Sequence, residues 1–335
     1  MTLPHRQIGP FKVSAVTVGC MALSHAYDVP PSEADAVRFL NHALDSGITM
    51  LDTAAIYGAG ANESLLGKAV MHRRREFVLA SKCVLDLVDG KRVLDGRPEV
   101  ITRSLENSLR RLGTDHIDLF YLHRLDRDVP VEESVGALVR AREAGKIGHI
   151  GLSEMSADTV RRVHAVHPIA AVQSEYSICV RNPEIAVLDA CAELGIGFVA
   201  FSPVVRGLLS RAIRSDDYAR GDIRLGMPRF VEPNLSHNLK AVAEYEALAD
   251  ARGISPAQLA IAWLLSRRPF LTALVGTRTP VHLDENLGAL DVTLDGDTLA
   301  AIDRIFAPGT IRGARYNGPT QAQIDTETFA DEDLD

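Results

Sequence analysis

What most constrains this chain is an alternation that repeats eight times: a short apolar run, then a segment with the periodicity of an amphipathic helix. Strand-helix repeats of this kind build a parallel sheet with helices packed outside it. The expected strands fall at residues 15–20, 48–52, 77–82, 117–123, 147–153, 170–177, 197–203 and 271–276. The expected helices lie at residues 32–46, 63–71, 98–112, 131–144, 157–166, 184–194 and 256–266, with Ser32 and Ser255 as caps and Gly47, Gly113 and Gly145 as stops. Eight units close a (β/α)8 TIM barrel, and 335 residues suit one such domain. An open doubly wound sheet would carry a glycine-rich first turn. The nearest approach, Gly58 and Gly60 in YGAGANESLLGK, lacks the third glycine and follows the second strand. Residues 6–13, around Gly9 and Pro10, read as a hairpin closing the barrel bottom. Residues 1–310 are expected to form the single catalytic barrel and residues 311–335 a C-terminal extension with an acidic, mobile tail from residue 324.

Three of the runs close on proton-handling residues. ITMLDTAAIY ends its strand at Asp52 and reaches Tyr57 one short turn later; FVLASK ends at Lys82; IDLFYLH ends at His123. Each alone has an ordinary explanation: a helix cap, a half-buried loop aromatic, a solvated strand end, a hydrogen-bonded loop residue. Four at the carboxyl ends of three consecutive strands, where barrel chemistry sits, make a candidate site. The Lys82 ammonium would stabilise a Tyr57 phenolate and draw its pKa toward neutrality, while Asp52 keeps Lys82 charged. His123 would orient a substrate oxygen. The group reads as a general acid aimed at a carbonyl oxygen gaining negative charge. No side chain supplies a hydride, so a nicotinamide cofactor is implied.

The cofactor phosphates need a site. Loops after the seventh and eighth strands usually provide one in such barrels. Here they are the arginine-rich stretch of residues 204–235, with Gly207 early in it, and GTRTPVHLDEN, where Thr279 and Pro280 open a helix beside Arg278.

Composition removes other classes. A net charge of −8 gives no support for nucleic-acid binding, no apolar run approaches membrane-spanning length, and the N-terminus lacks a signal-peptide core. Four dispersed cysteines without a CxxC pair fit a reduced, cytoplasmic setting. No HExxH or clustered ligand set points to a metal.

These motifs resemble the aldo-keto reductase superfamily over nearly the whole chain, to about Ala307. LDTAAIYGAGANESLLGKA is similar to its Asp-to-Tyr signature, LASK to its lysine strand and DLFYLHR to its histidine strand. GHIGLSE, VQSEYS, FVAFSPVVRGLL and GTRTPVHLDENLGAL resemble its cofactor segments in order. The resemblance implies Tyr57 as proton donor, tuned by Lys82 and Asp52, with His123 orienting the carbonyl. It implies Ser153 and Gln173 on the nicotinamide carboxamide and Phe201 stacked on the ring. It also implies Ser202 and Gly207 over the pyrophosphate, Thr277 and Arg278 on the adenosine 2′-phosphate, and Glu285 and Asn286 on the adenine. Glu154 stands where many members have Asn, and His282 where several have Arg. NADPH is favoured over NADH. The spelling of GCMALS, HRLD and MPRF is similar to the subgroup containing plant perakine reductase. The implied activity is reduction of small aldehydes or ketones to alcohols. Alternatives are secondary-alcohol oxidation with NADP+, a Schiff-base lyase using Lys82, or a non-catalytic nucleotide-binding partner protein. Oligomeric state is left open.

Overall fold

The computed structural model describes residues 3–88 and 90–332. Its N-terminal hairpin pairs β1 (His5–Ile8) with β2 (Phe11–Ser14). The barrel strands are β3 (Val16–Gly19), β4 (Met50–Asp52) and β5 (Val78–Cys83), followed after a second hairpin, β6 (Leu85–Val88) and β7 (Lys91–Leu94), by β8 (Ile117–Leu122), β9 (Ile147–Ser153), β10 (Ala171–Glu175), β11 (Gly197–Phe201) and β12 (Leu271–Val275). All eight barrel strands run parallel, and β12 pairs with β3 to close the cylinder. The expected (β/α)8 barrel is what forms.

The helices are α1 (Glu33–Asp45), α2 (Ala61–Val70), α3 (Pro98–Leu112), α4 (Val131–Glu143), α5 (Ala157–Val166), α6 (Val187–Leu194), α7 (Asn234–Ala251), α8 (Pro256–Arg267), α9 (Pro280–Leu287), α10 (Gly296–Ile305) and the short α11 (Gly318–Gln321). Local chemistry sets their ends. Ser32 accepts from the Asp35 amide, a capping box joins Ser255 and Gln258, and Gly113 takes the left-handed conformation that stops α3. The sequence patterns above do not mark α7 or α10. The first does bury one stripe, Leu235, Asn238, Val242, Tyr245 and Ala249, but a polar Asn238 sits in it while Leu239, Ala243 and Leu248 lie outside it, so the apolar period is blurred; it packs beneath the long loop after β11 and against α8 and α10.

The hairpin β1–β2 does close the barrel floor. Ile8 is fully buried and belongs to the inner cluster with Val13, Met50, Ala80, Leu119, Tyr121 and Val199. The approach is so close that a Cβ on Gly197 would stand 2.6 Å from the Ile8 Cα, and one on Gly9 would meet Ala170 at 2.6 Å. With that end plugged, only the carboxyl-terminal mouth is available for chemistry.

Residues 83–97 are largely the β6–β7 hairpin, lying at the mouth. One expectation changes. The acidic tail, expected to be mobile, is tied down through the described residues. The Asp325 amide donates to the Glu154 carbonyl at 2.9 Å, and the Asp325 carboxylate accepts from the Ser156 amide at 3.1 Å and from the Thr159 hydroxyl at 2.7 Å. Glu327 accepts from the Ala157 amide at 2.6 Å. The acids that looked like a solvated tail satisfy the free N–H groups of α5 and its positive dipole end. Residues 333–335 lie outside the described residues. No described helix is long and apolar enough to cross a membrane.

Candidate active site

The four proton-handling residues converge. Asp52 is the last residue of β4, Lys82 lies near the end of β5, and His123 directly follows β8. Tyr57 opens a tight turn in which Gly58 and Ala59 both have positive φ, at 57° and 53°. That left-handed pair folds the chain back after the strand and leaves the phenol half-buried at the mouth.

Lys82 is completely buried, and its ammonium hydrogen-bonds Asp52 Oδ1 and, at 2.9 Å, the Thr53 carbonyl. It lies 5.2 Å from the Tyr57 ring centroid. Burial pulls the Lys82 pKa down, but Asp52 and then Tyr57 outweigh it, so the net shift is upward and the ammonium stays charged. The expected lowering of Tyr57 does not occur. Burial raises its pKa above 10.0, and the opposing charge of Lys82 recovers only part of that shift. Tyr57 is therefore held as a neutral phenol, the form a proton donor requires. His123 faces it edge-on, with ring centroids 5.8 Å apart. Burial, then the cations Arg124, Lys82 and Arg92, push His123 well below 6.5, so its imidazole is neutral and can donate one hydrogen bond while accepting another. Its Nδ1 is buried with no partner among the described residues.

Asp52, Tyr57 and His123 line one end of a cavity of about 1020 Å³, and Lys82 is buried behind them. Ser153 and Phe201, at the ends of β9 and β11, and Gln173, midway along β10, line the cavity, and Ser202, Gly207, Thr277, Arg278, His282, Glu285 and Asn286 continue it to the first turns of α9. All the residues expected to hold a cofactor thus border one connected space. Gln173 Nε2 donates to Asp52 Oδ2 at 2.8 Å, which leaves its carbonyl oxygen for a carboxamide N–H. Thr277 Oγ1 is buried without a partner among the described residues, a polar atom awaiting a ligand oxygen. The residues present fit a dinucleotide cofactor.

Arg278 is not idle. Its guanidinium donates to the carbonyls of Tyr27 and Val29 at 3.0 and 2.8 Å. The same loop is gripped from the other side, where the Asp28 amide donates to Asp222 at 3.0 Å and Arg206 donates to the Tyr27 hydroxyl at 3.2 Å. Residues 26–29 and the long loop after β11 thereby meet across the cavity. His25 sits 5.5 Å from Tyr57 by ring centroids.

Glu154 takes no position that a carboxamide could use. It is fully buried, with both carboxylate oxygens 2.9 Å from Arg315 Nη2 and Oε1 also accepting the Glu175 amide at 2.7 Å. Glu175 in turn binds Arg206 at 3.0 Å and Arg315 at 3.2 Å, and Arg206 reaches the Tyr316 hydroxyl at 2.8 Å. Sequence reading did not find this network of Glu154, Glu175, Arg206 and Arg315, nor the mouth arginines Arg92 and Arg124. The available signals were Glu in place of Asn after Ser153 and Arg directly after His123.

Residues 15–307 match the Aldo/keto reductase family. The aldo-keto reductase yakc of Schizosaccharomyces pombe, which carries NADP(+) in its name, is 41% identical over 336 residues, covering 98% of each chain. Among solved structures, a glycerol dehydrogenase from Gluconobacter oxydans superposes with a TM-score of 0.82 at 30% identity, covering 90% of this chain and 95% of its own. An aldo-keto reductase from Bacillus halodurans, in its holo form, gives 0.75 at 28%, covering 90% and 96%. Family match, near-complete alignment and shared barrel agree: this chain belongs to the aldo/keto reductase family.

Proposed function

We propose that the protein reduces aldehydes or ketones to alcohols with NADPH, Tyr57 giving the proton. The observation that carries this reading is the stack at the mouth: a neutral phenol above a buried, charged Lys82–Asp52 pair, with a neutral imidazole across its ring. The cofactor, when bound, supplies the hydride. Tyr57 donates its hydroxyl proton to the carbonyl oxygen as negative charge grows there, and the Lys82 ammonium stabilises the phenolate left behind. Asp52 holds that ammonium in place and anchors Gln173. His123 donates a hydrogen bond to the same carbonyl oxygen and fixes the approach. Ser153 and Gln173 hold the carboxamide, Phe201 covers the ring, and Ser202, Gly207, Glu285 and Asn286 line the remainder, with His282 at the edge.

A phenol held protonated supports reduction over alcohol oxidation, which would need a base. A Schiff-base lyase is disfavoured by the same geometry, since a fully buried ammonium paired to Asp52 is not a nucleophile. The yakc relative's name supports NADP(H). The motif spellings GCMALS, HRLD and MPRF support a narrower place near the perakine-reductase subgroup, and the dispersed free cysteines a cytoplasmic one.

The cofactor assignment is tested by titrating both nucleotides. Arg278→Ala should weaken NADPH by about tenfold to a hundredfold, the usual worth of a charged hydrogen bond, with little change for NADH. Equal losses for the two would remove Arg278 from the 2′-phosphate site.

A pH profile tests the proton donor. Tyr57 is raised above 10.0 and His123 lowered well below 6.5, so both hold their working protonation states between those values. With saturating NADPH, kcat/KM for reduction should be flat from 6.5 to 10.0 and fall only above that range as Tyr57 loses its proton. A basic limb near neutrality would mean that Lys82 wins over burial.

A further inference from the structure

Six arginines line the cavity: Arg92, Arg124, Arg206, Arg214, Arg224 and Arg278. Four have carboxylate partners, in Glu175, Glu246, Asp222 and Asp28 respectively for Arg206, Arg214, Arg224 and Arg278. Arg92 and Arg124 have none among the described residues. Arg124 is 6% exposed, donates to the His123 carbonyl at 2.7 Å and to the Ser153 hydroxyl at 3.4 Å, and keeps its Nε buried without a partner. Arg92 sits on the mouth hairpin. The register Leu85↔Leu94 and Leu87↔Arg92 places it on the same face as Leu85, which also lines the cavity. Both cations act on His123, and Arg124 acts on Arg92, so their fields overlap at the catalytic end.

A protein of net charge −8 that places beside its reacting groups two guanidiniums without a carboxylate partner among the described residues has concentrated positive potential there. The phosphates of the dinucleotide do not account for them, since the residues assigned to that end lie after β11 and β12, whereas Arg92 and Arg124 come from the β6–β7 hairpin and the loop after β8. Resting on the carbonyl-reductase reading above, we propose that the substrate is a carbonyl compound bearing a compact oxyanion, a carboxylate or a phosphate, held by Arg92 and Arg124. The forked donors of arginine match either group. The anion fixes the substrate at the mouth and turns its carbonyl toward Tyr57 and His123.

Matched pairs test this with the whole protein and NADPH: succinic semialdehyde against butanal, 4-carboxybenzaldehyde against benzaldehyde, and glyceraldehyde 3-phosphate against glyceraldehyde. The readout is the ratio of kcat/KM, charged over neutral. The expected ratio is about tenfold to a hundredfold, mostly in KM, and smaller at high salt. In Arg92→Gln it should collapse, and in Arg92→Glu invert; Arg92 is exposed, so these variants spare the core. The two carboxylate pairs and the phosphate pair show which oxyanion fits. Ratios near or below one, with neutral aldehydes still turned over in a Tyr57-dependent way, overturn this inference and leave the reductase reading standing. If no aldehyde is consumed, the reductase reading fails. Calorimetric titration of the NADP+-loaded protein with benzoate, phosphate and benzamide then decides the anion site. Anion binding that is lost in Arg92→Gln supports it, and equal binding of benzamide sinks it.

Discussion

Replacing Tyr57 with phenylalanine is expected to lower kcat for carbonyl reduction by about 10² to 10⁴, the range for loss of one positioned general acid, while the affinity for NADPH stays nearly unchanged. The substitution removes one hydroxyl from a half-buried ring at the mouth. The ring still covers Lys82, 5.2 Å below its centroid, and still meets His123 edge-on, so the surrounding packing has no reason to shift. The effect should appear equally in kcat and kcat/KM, because the proton is given only as the carbonyl oxygen becomes basic. Single-turnover NADPH oxidation, run beside a fluorescence titration of the cofactor, separates the outcomes. Parallel loss of cofactor affinity would mean that Tyr57 organises the nucleotide site rather than the proton. A residual rate within tenfold of wild type would shift the donor role to His123, the other neutral N–H at this end.

Much of this site was legible because a barrel converts sequence position into spatial position. Strand ends are easily read from apolar runs, and closure brings every carboxyl end to one mouth, so Asp52, Lys82 and His123 had to meet once eight strands were counted. Helix ends were equally local, since the Ser255–Gln258 box and the Thr279 cap depend on a few neighbouring residues. What stayed hidden depends on balances or on distant partners. The direction of the Tyr57 shift is the difference between burial and the Lys82 field, and sequence shows only the second. The partner of Glu154 is Arg315, 161 residues away, in an extension with no periodic pattern. The tail's acids are ordered by the free amides of α5, again through long-range contacts. Arg92 reaches the cavity only because residues 85–88 and 91–94 pair into a hairpin, and no local pattern in the sequence marks that pairing.

Arg315→Met is expected to cost about 3–5 kcal/mol of folding stability at neutral pH, the range for removing one partner from a buried ion pair. Arg315 is 2% exposed and is the only cation hydrogen-bonded to Glu154 among the described residues, while Glu175 would keep Arg206. Burial alone would raise the Glu175 pKa, but Arg206, Arg315 and Arg229 hold it down to about 2. Its folded value thus lies below the ordinary 4.5, so the stabilisation is complete above 4.5 and is lost as the pH falls toward 2. Without Arg315 the folded value of the Glu175 carboxyl rises, and acid unfolding should begin at a higher pH than in wild type. Denaturant midpoints across that range measure this. Adding Glu154→Gln to Arg315→Met should recover much of the loss, since the uncompensated charge is then gone. Because Glu154 follows Ser153 and Glu175 lies two residues beyond Gln173, the single variant should also weaken NADPH binding, and the double variant should restore it in proportion to stability. A single variant as stable as wild type would mean that Arg206 alone neutralises the cluster and that the C-terminal extension is held by its contacts with α5.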